Sequence, residues 1–322
     1  MSEAAELDRR LNAYLAIREV VGLANNAQVR LLRNFIAYAQ HAGPGTNSPI
    51  RATTALSWAW DDAPASCGVR GRSDRLAVAR GFLTYLSCFV PGTEVPGPRL
   101  VAGSTRRRPY IFSNDEIRTL IVAAAITKSR TSLRPVMLST LLGLLASTGL
   151  RIGEAVRLKM DDVRLDDTQA NLQILQTKFQ KSRIVPIHPT VVIALESYRN
   201  RRQREVRSGW SDSFFVNQHG GLLAVHDLWR WFTQLTRSLG MVPSSEAGLR
   251  PCLTSFRHTF AVRRLREWHE AGLDVQSLLP TLAVYLGHVG PESTYWYLSA
   301  TPDLLRAAGA RFTLDVPAGV EP

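Results

Sequence analysis

In the stretch LGHVGPESTYWYL, residues 286–298, one histidine, His288, is followed closely by two tyrosines, Tyr295 and Tyr297. At helical spacing, residues i and i+2 point to nearly opposite sides, so at most one of these tyrosines can share a site with that histidine. One phenol is then set up for chemistry and the other for packing. A second candidate lies in TGLRIGEAVRLKMDDV, where Arg151 ends an apolar segment and Glu154 follows one turn later. An arginine held rigid by a carboxylate can be aimed at a phosphate, and the same two residues also make an ordinary i,i+3 surface pair. A third lies in TSFRHTFAVRRLREW, with Arg257 and Arg264 two turns apart on one helical face. His258 sits about 100° away from Arg257 on that helix. Alone, this is a basic amphipathic helix for which a backbone contact to nucleic acid and a catalytic role are equally good readings.

The elements that must position these residues fall into two groups. At 322 residues the chain is long for one core, and 45% apolar with 20% charged residues is ordinary for a globular protein of two domains. Residues 7–40 place apolar side chains at helical intervals around Gly22, and SDRLAVARGFLTYLSCF, residues 73–89, forms another amphipathic helix with Arg72, Arg75 and Arg80 available on its polar side. Residues 1–90 therefore read as a small helical domain. The following stretch to Pro109 holds four prolines, three glycines and the run Arg106, Arg107, Arg108, so residues 91–109 read as a basic linker. Its arginines suit a DNA backbone as well as they suit solvent. Ser113 and Glu116 stand at capping-box spacing, which starts a second domain, residues 110–322, with a helix at Asn114. Within it VRLDDTQANLQILQTKFQKSRIVPIHP alternates like a small antiparallel meander, with Lys178 at a strand end or turn, and helices follow near 190–207 and 226–239, through LTSFRHTFAVRRLREWHEAG and from about 292. The fold class expected is mainly α with a small antiparallel β-sheet.

Composition narrows the partner. Lys and Arg total 39 against 27 Asp and Glu, a net charge of +12 and a pI near 10.2, the electrostatic footprint of a protein that meets a polyanion. Nearly all the cations are arginine, whose fork suits bidentate phosphate contact. Cys67, Cys88 and Cys252 are odd in number and lack metal-ligand spacing, which argues against a disulfide framework or a zinc site. The most apolar run, VMLSTLLGLLASTGL, is shorter than the roughly 20 residues of a membrane helix, and the polar start lacks a signal-peptide pattern. A cytoplasmic, nucleoid-associated protein is expected.

In order along the chain, TGLRIGE, a hairpin lysine, RHTFA, and LGH with a tyrosine nine residues beyond resemble the tyrosine recombinases of the phage-integrase type. The resemblance covers residues 110–300, and the helical first domain resembles that family's core-site-binding domain in shape more than in motif. It implies a core-DNA-binding domain joined to a catalytic domain. Arg151 and Arg257 would clamp the scissile phosphate, Lys178 would be the strand-turn general acid, His288 the late histidine and Tyr297 the nucleophile, leaving Tyr295 as a packing residue. It further implies double-stranded DNA with inverted-repeat core sites, a tetramer assembled on DNA, a place for an accessory DNA-bending protein, and neither metal nor ATP. Residues 302–310 would dock on a neighbouring protomer or pack on their own domain. The same catalytic set serves type IB topoisomerases and telomere-resolving enzymes, and a non-cutting DNA-binding relative is the reading from a different class. One position departs from the pattern: Thr254 stands where the family has a histidine three residues before Arg257. Threonine donates a hydrogen bond but carries neither proton nor charge near neutral pH. His258, next to Arg257, is an awkwardly placed substitute.

Overall fold

The computed structural model describes the chain except residues 1–2, 24–25, 43–48, 99, 101–107, 130, 166–168, 176–181, 206–208, 242–248, 289, 291 and 301–322. It is mainly helical with one small antiparallel sheet, and, leaving residues 176–181 aside, it divides into two compact units whose boundary in sequence falls between Arg107 and Arg108. Among the described residues no helix is long and apolar enough to cross a membrane.

The first unit holds α1 (Glu3–Val20), α2 (Asn26–Ala42), α3 (Ala52–Trp60) and α4 (Val69–Ser87). Gly22, at φ 68°, makes the left-handed turn out of α1. Helix α3 is too short for its periodicity to stand out in the sequence, yet it buries Ala55, Trp58 and Ala59, and the Trp58 ring lies 5.1 Å from that of Phe35. The polar side expected for α4 needs a correction at Arg75. Arg75 is 6% exposed and donates to the Trp58 carbonyl (2.6 Å) and to Asp62 (3.0 Å), with its guanidinium 4.1 Å from the Trp58 ring centroid. It therefore braces α4 on α3 and cannot reach a DNA backbone, while Arg72 and Arg80 are half-buried. The stretch after α4 is irregular, as its prolines require, but its beginning is pinned to this unit. The Glu94 amide donates to the Ile50 carbonyl (2.9 Å), and the Glu94 carboxylate accepts from the Ala52 amide (3.0 Å).

The second unit opens on the expected cap: Ser113 Oγ accepts from the Glu116 amide and the Glu116 carboxylate from the Ser113 amide, starting α5 (Asn114–Ala125). Helix α6 (Leu133–Thr148) is the apolar run of the sequence and lies at the centre of the core with Leu138, Leu141, Leu142 and Leu145. The short α7 (Ile152–Ala155) leads to a three-stranded sheet, β1 (Val163–Arg164), β2 (Asn171–Ile174) and β3 (Arg183–Pro186), in the order 1-2-3 with both pairings antiparallel. Leu172 pairs with Val163 on one side and Val185 on the other, so these three apolar residues form a cross-strand row on the buried face. Helices α8 (Pro189–Glu205), α9 (Val225–Ser238), α10 (Leu253–Glu270), α11 (Val275–Leu286) and α12 (Glu292–Ala300) complete the unit. Helix α11, which the sequence analysis does not include, is capped by Asp274, whose side chain accepts from the Gln276 and Ser277 amides.

Two glycines end the helices that matter most here. Gly149 (φ 62°) closes α6 and Gly287 (φ 69°) closes α11, both in the left-handed conformation of a helix C-cap. At Gly149 an added Cβ would also lie 2.7 Å from the Phe260 ring. Gly149→Ala therefore combines left-handed strain with a clash and should cost about 2 to 4 kcal/mol. Gly272→Ala, at φ 73° with open space around it, should cost only about 1 kcal/mol. Hydrogen exchange of the α6 and α10 amides in the two variants checks the difference.

Candidate active site

The site is assembled from the ends of helices. Helix α6 stops at Gly149, Leu150 buries itself, and the chain turns into α7 with Arg151 at the N-cap position. From the sheet, strand alternation sets Arg183 on the same face as the buried Val185 and opposite the exposed Ile184. From α10 comes Arg257, 5% exposed. These three arginines converge on the C-terminal carbonyls of α11. Arg183 Nε donates to the Tyr285 carbonyl (2.7 Å), Arg257 Nη2 to that of Leu286 (2.7 Å), and Arg151 to those of Leu286 (3.4 Å) and Gly287 (2.9 Å). Arg257 Nη1 also donates to the Gly149 carbonyl (3.0 Å), so the two glycine-capped helix ends hold it between them. A helix C-terminus carries partial negative charge and unsatisfied carbonyls, which is the environment a guanidinium completes.

Glu154 ties two of the arginines together. Its side chain is 2% exposed, and it accepts from Arg151 Nη1 (2.8 Å), the Arg151 amide (3.0 Å) and both Arg183 terminal nitrogens (3.2 and 2.8 Å). Burial alone would raise its pKa, but the hydrogen bonds and charges of Arg183, with Arg151 behind them, outweigh that and hold the carboxyl below the usual range. Burial pulls Arg257 down to about 10, the Arg151 charge adds to the fall, and Tyr297 and Glu154 oppose it. Three guanidiniums against one carboxylate leave two positive charges in excess, so the cluster is built to receive an anion.

Geometry separates the two tyrosines of α12. Tyr297 is 2% exposed and packed among α10, α11 and α12, whereas Tyr295 is 49% exposed on the other side of α12. The Tyr297 hydroxyl lies 3.1 Å from His258 Nδ1, and its ring stacks on that of His288 at 6.3 Å between centroids. His288 Nδ1 is 2.8 Å from Thr294 Oγ1, which fixes the orientation of the imidazole. Arg151, Arg257, His288 and Tyr297 are thus brought together. Thr254 is exposed one turn before His258 on α10. Lys178, Arg106 and Arg107 lie outside the described residues, and Arg108 is exposed. Two members are hidden, wholly or in part, in the sequence. Arg183 was legible only as the i−2 partner of an inward valine. His258 sits off the Arg257 face but shares one with Thr254, four residues earlier on the same helix.

Residues 111–303 match the model of the phage integrase family. The chain belongs to that family. It is a tyrosine recombinase, an enzyme of site-specific DNA strand transfer. The recombinase is 36% identical over 303 residues to the integrase/recombinase y4rB of Sinorhizobium fredii, covering 92% of this chain and 94% of the relative. It is 30% identical over 306 residues to the tyrosine recombinase XerD of Mycobacterium tuberculosis, covering 94% and 87%. Among solved structures its fold is similar to that of the XerH recombinase bound to difH DNA (TM-score 0.65, 18% identity, 89% of this chain and 79% of that one). It is also similar to the Tn1549 transposon integrase in complex with transposon end DNA (TM-score 0.63, 15% identity, 94% and 99%).

Because Glu154 is the negative member of the cluster, Glu154→Gln should destabilise the second unit of the recombinase by about 3 kcal/mol at neutral pH. The sign of the pH dependence follows from the depressed folded pKa. The Glu154 contribution is complete above the ordinary carboxylate value of 4.5 and is lost as pH falls through the lower folded value. Denaturant unfolding of both proteins, from neutrality down to about pH 3, should show the gap between them closing on the acid side.

Proposed function

We infer that the recombinase cuts and rejoins DNA through a covalent 3′-phosphotyrosyl intermediate on Tyr297. The observation that carries this reading is the convergence of Arg151 and Arg257 on one carbonyl, that of Leu286, beside His288 and Tyr297. Breaking a phosphodiester without losing its bond energy needs a covalent detour, and a phenol with a pKa near 10 leaves more readily on the return step than an alkyl hydroxyl. Attack spreads negative charge over the phosphate oxygens. Preorganised guanidiniums at Arg151 and Arg257 lower that barrier, each by a few kcal/mol. Arg257 already carries the cost of desolvation, so a phosphate supplies the counter-charge that the buried cation lacks. Lys178, on the connection between β2 and β3, is the general acid for the departing 5′ oxygen.

Double-stranded DNA is the partner, which the excess of 12 positive charges favours. Inverted-repeat core sites, a tetramer assembled on them and an accessory bending protein follow from the same reading, as does service to a mobile element, which agrees with relatives named integrase and transposon integrase. Arg108, the described member of the basic run, is exposed, which supports a role in contacting the DNA backbone.

Covalent trapping tests the reading. The full-length protein is mixed with nicked duplexes taken from the DNA flanking its own coding region, and adducts are resolved on denaturing gels. The adduct should persist in Tyr295→Phe and disappear in Tyr297→Phe. A protein that binds these duplexes and forms no adduct on any of them would be a non-cutting relative, for which Thr254 is the first position to examine.

A further inference from the structure

We propose that His258 is a catalytic residue of this recombinase, the acceptor of the Tyr297 phenol proton in place of the histidine that Thr254 replaces. The proposal rests on Tyr297 being the nucleophile. Three observations carry it. First, Tyr297 is 2% exposed, so the phenol is largely shielded from bulk water and an acceptor within the protein is the short route for its proton. Second, His258 Nδ1 stands 3.1 Å from that hydroxyl, within the reach of a general base. Its ring packs on α12, 5.5 Å from the Tyr297 ring and 5.6 Å from that of Trp296. Third, positions 254 and 258 are i and i+4 on α10, so they share a helical face about 6 Å apart along the axis. The imidazole at 258 therefore stands on the same side of α10 as position 254. At 254 the chain keeps a hydroxyl, which is exposed and has no basic nitrogen.

The proton balance closes. With Nδ1 unprotonated and the ring proton on Nε2, the Tyr297 hydroxyl donates to Nδ1. As the phenol oxygen bonds to phosphorus, its O–H bond breaks and the proton passes to His258, making imidazolium. The P–O5′ bond breaks, and the 5′ oxygen takes its proton from the general acid assigned above to Lys178. On resealing, an incoming 5′ hydroxyl returns a proton to Lys178 and attacks phosphorus, the P–O bond to Tyr297 breaks, and His258 gives the phenol back its proton. His288 is oriented differently: its Nδ1 lies 2.8 Å from Thr294 Oγ1, and its ring is nearly parallel to the Tyr297 ring with centroids 6.3 Å apart.

The test uses His258→Gln in the full-length protein, since the amide oxygen still accepts a hydrogen bond from Tyr297 but takes no proton. The readouts are binding to nicked flanking duplexes and the single-turnover rate of adduct formation. Each is measured with tyrosine and with a ring-fluorinated, more acidic tyrosine incorporated at position 297. The expected result is unchanged DNA binding and adduct formation slowed by about 10²-fold or more, with that deficit shrinking at least about tenfold on the fluorinated nucleophile, which needs a base less. A deficit below about tenfold, or one of the same size with both nucleophiles, would overturn the proposal and leave His258 as a packing partner. An adduct that survives Tyr297→Phe, or a wild-type protein that forms none, would instead remove the nucleophile assignment on which the proposal stands.

Discussion

The second unit depends on one constraint: the last carbonyls of α11 must be satisfied, and arginines from three different elements satisfy them. Arg183 takes Tyr285, Arg257 and Arg151 share Leu286, and Arg151 reaches Gly287. A sheet, the N-terminus of a short helix and the second turn of a long one are thereby locked to a single helix end. Cations brought this close repel one another and lose hydration, an arrangement that survives only because helix-end carbonyls and the nearly fully buried Glu154 surround them with negative charge. The balance stops short of neutrality by two charges, and Arg257, whose pKa is lowered first by burial and then by the neighbouring Arg151 charge, lies within that excess.

The same constraint explains why the two most recognisable motifs each contain a glycine. In TGLR and in LGH the glycine sits in the left-handed C-cap that ends a helix and turns its carbonyls outward. At Gly149 the carbonyl receives Arg257, and the space a side chain would fill belongs to Phe260. At Gly287 the carbonyl receives Arg151, and an added Cβ would lie 2.7 Å from Arg183 Nη1. The motifs are therefore descriptions of helix ends, with Arg151 and His288 placed just after them.

Features whose cause is local were legible in the sequence. The Ser113 capping box, the turn at Gly22, the meander and the long amphipathic helices follow from neighbours a few residues apart, and the structure has them. What escaped depends on partners far away in the chain. Arg75 looked like surface charge because arginine usually is. Yet it keeps helical register with Ala79, Phe82 and Leu86 in the buried stripe of α4, and its carbonyl and carboxylate partners come from α3 and the residues after it. Helix α3 itself carries too few turns to show a period. Arg183 sits 29 residues from Glu154 and 102 from Tyr285, so no window of sequence contains the contacts that bury it. Four matching motifs in order identified the family, while the wiring among them had to be seen in three dimensions.

Thr254 illustrates how a departure from pattern is absorbed. A histidine at that position can bring two things to a phosphate, positive charge and a place for a proton, and threonine brings neither. The charge is not missed where three arginines already leave an excess of two, because a further cation would add repulsion to a cluster that is partly desolvated. The proton is a separate matter. It has to leave a phenol that is shielded from solvent, and the only geometry that helps is a basic nitrogen on the same side of the tyrosine as its hydroxyl. Position 258 meets that requirement because α10 returns to the same face after four residues. The two duties can therefore be separated, with charge assigned to the arginines at the end of α11 and proton acceptance to an imidazole one turn along α10.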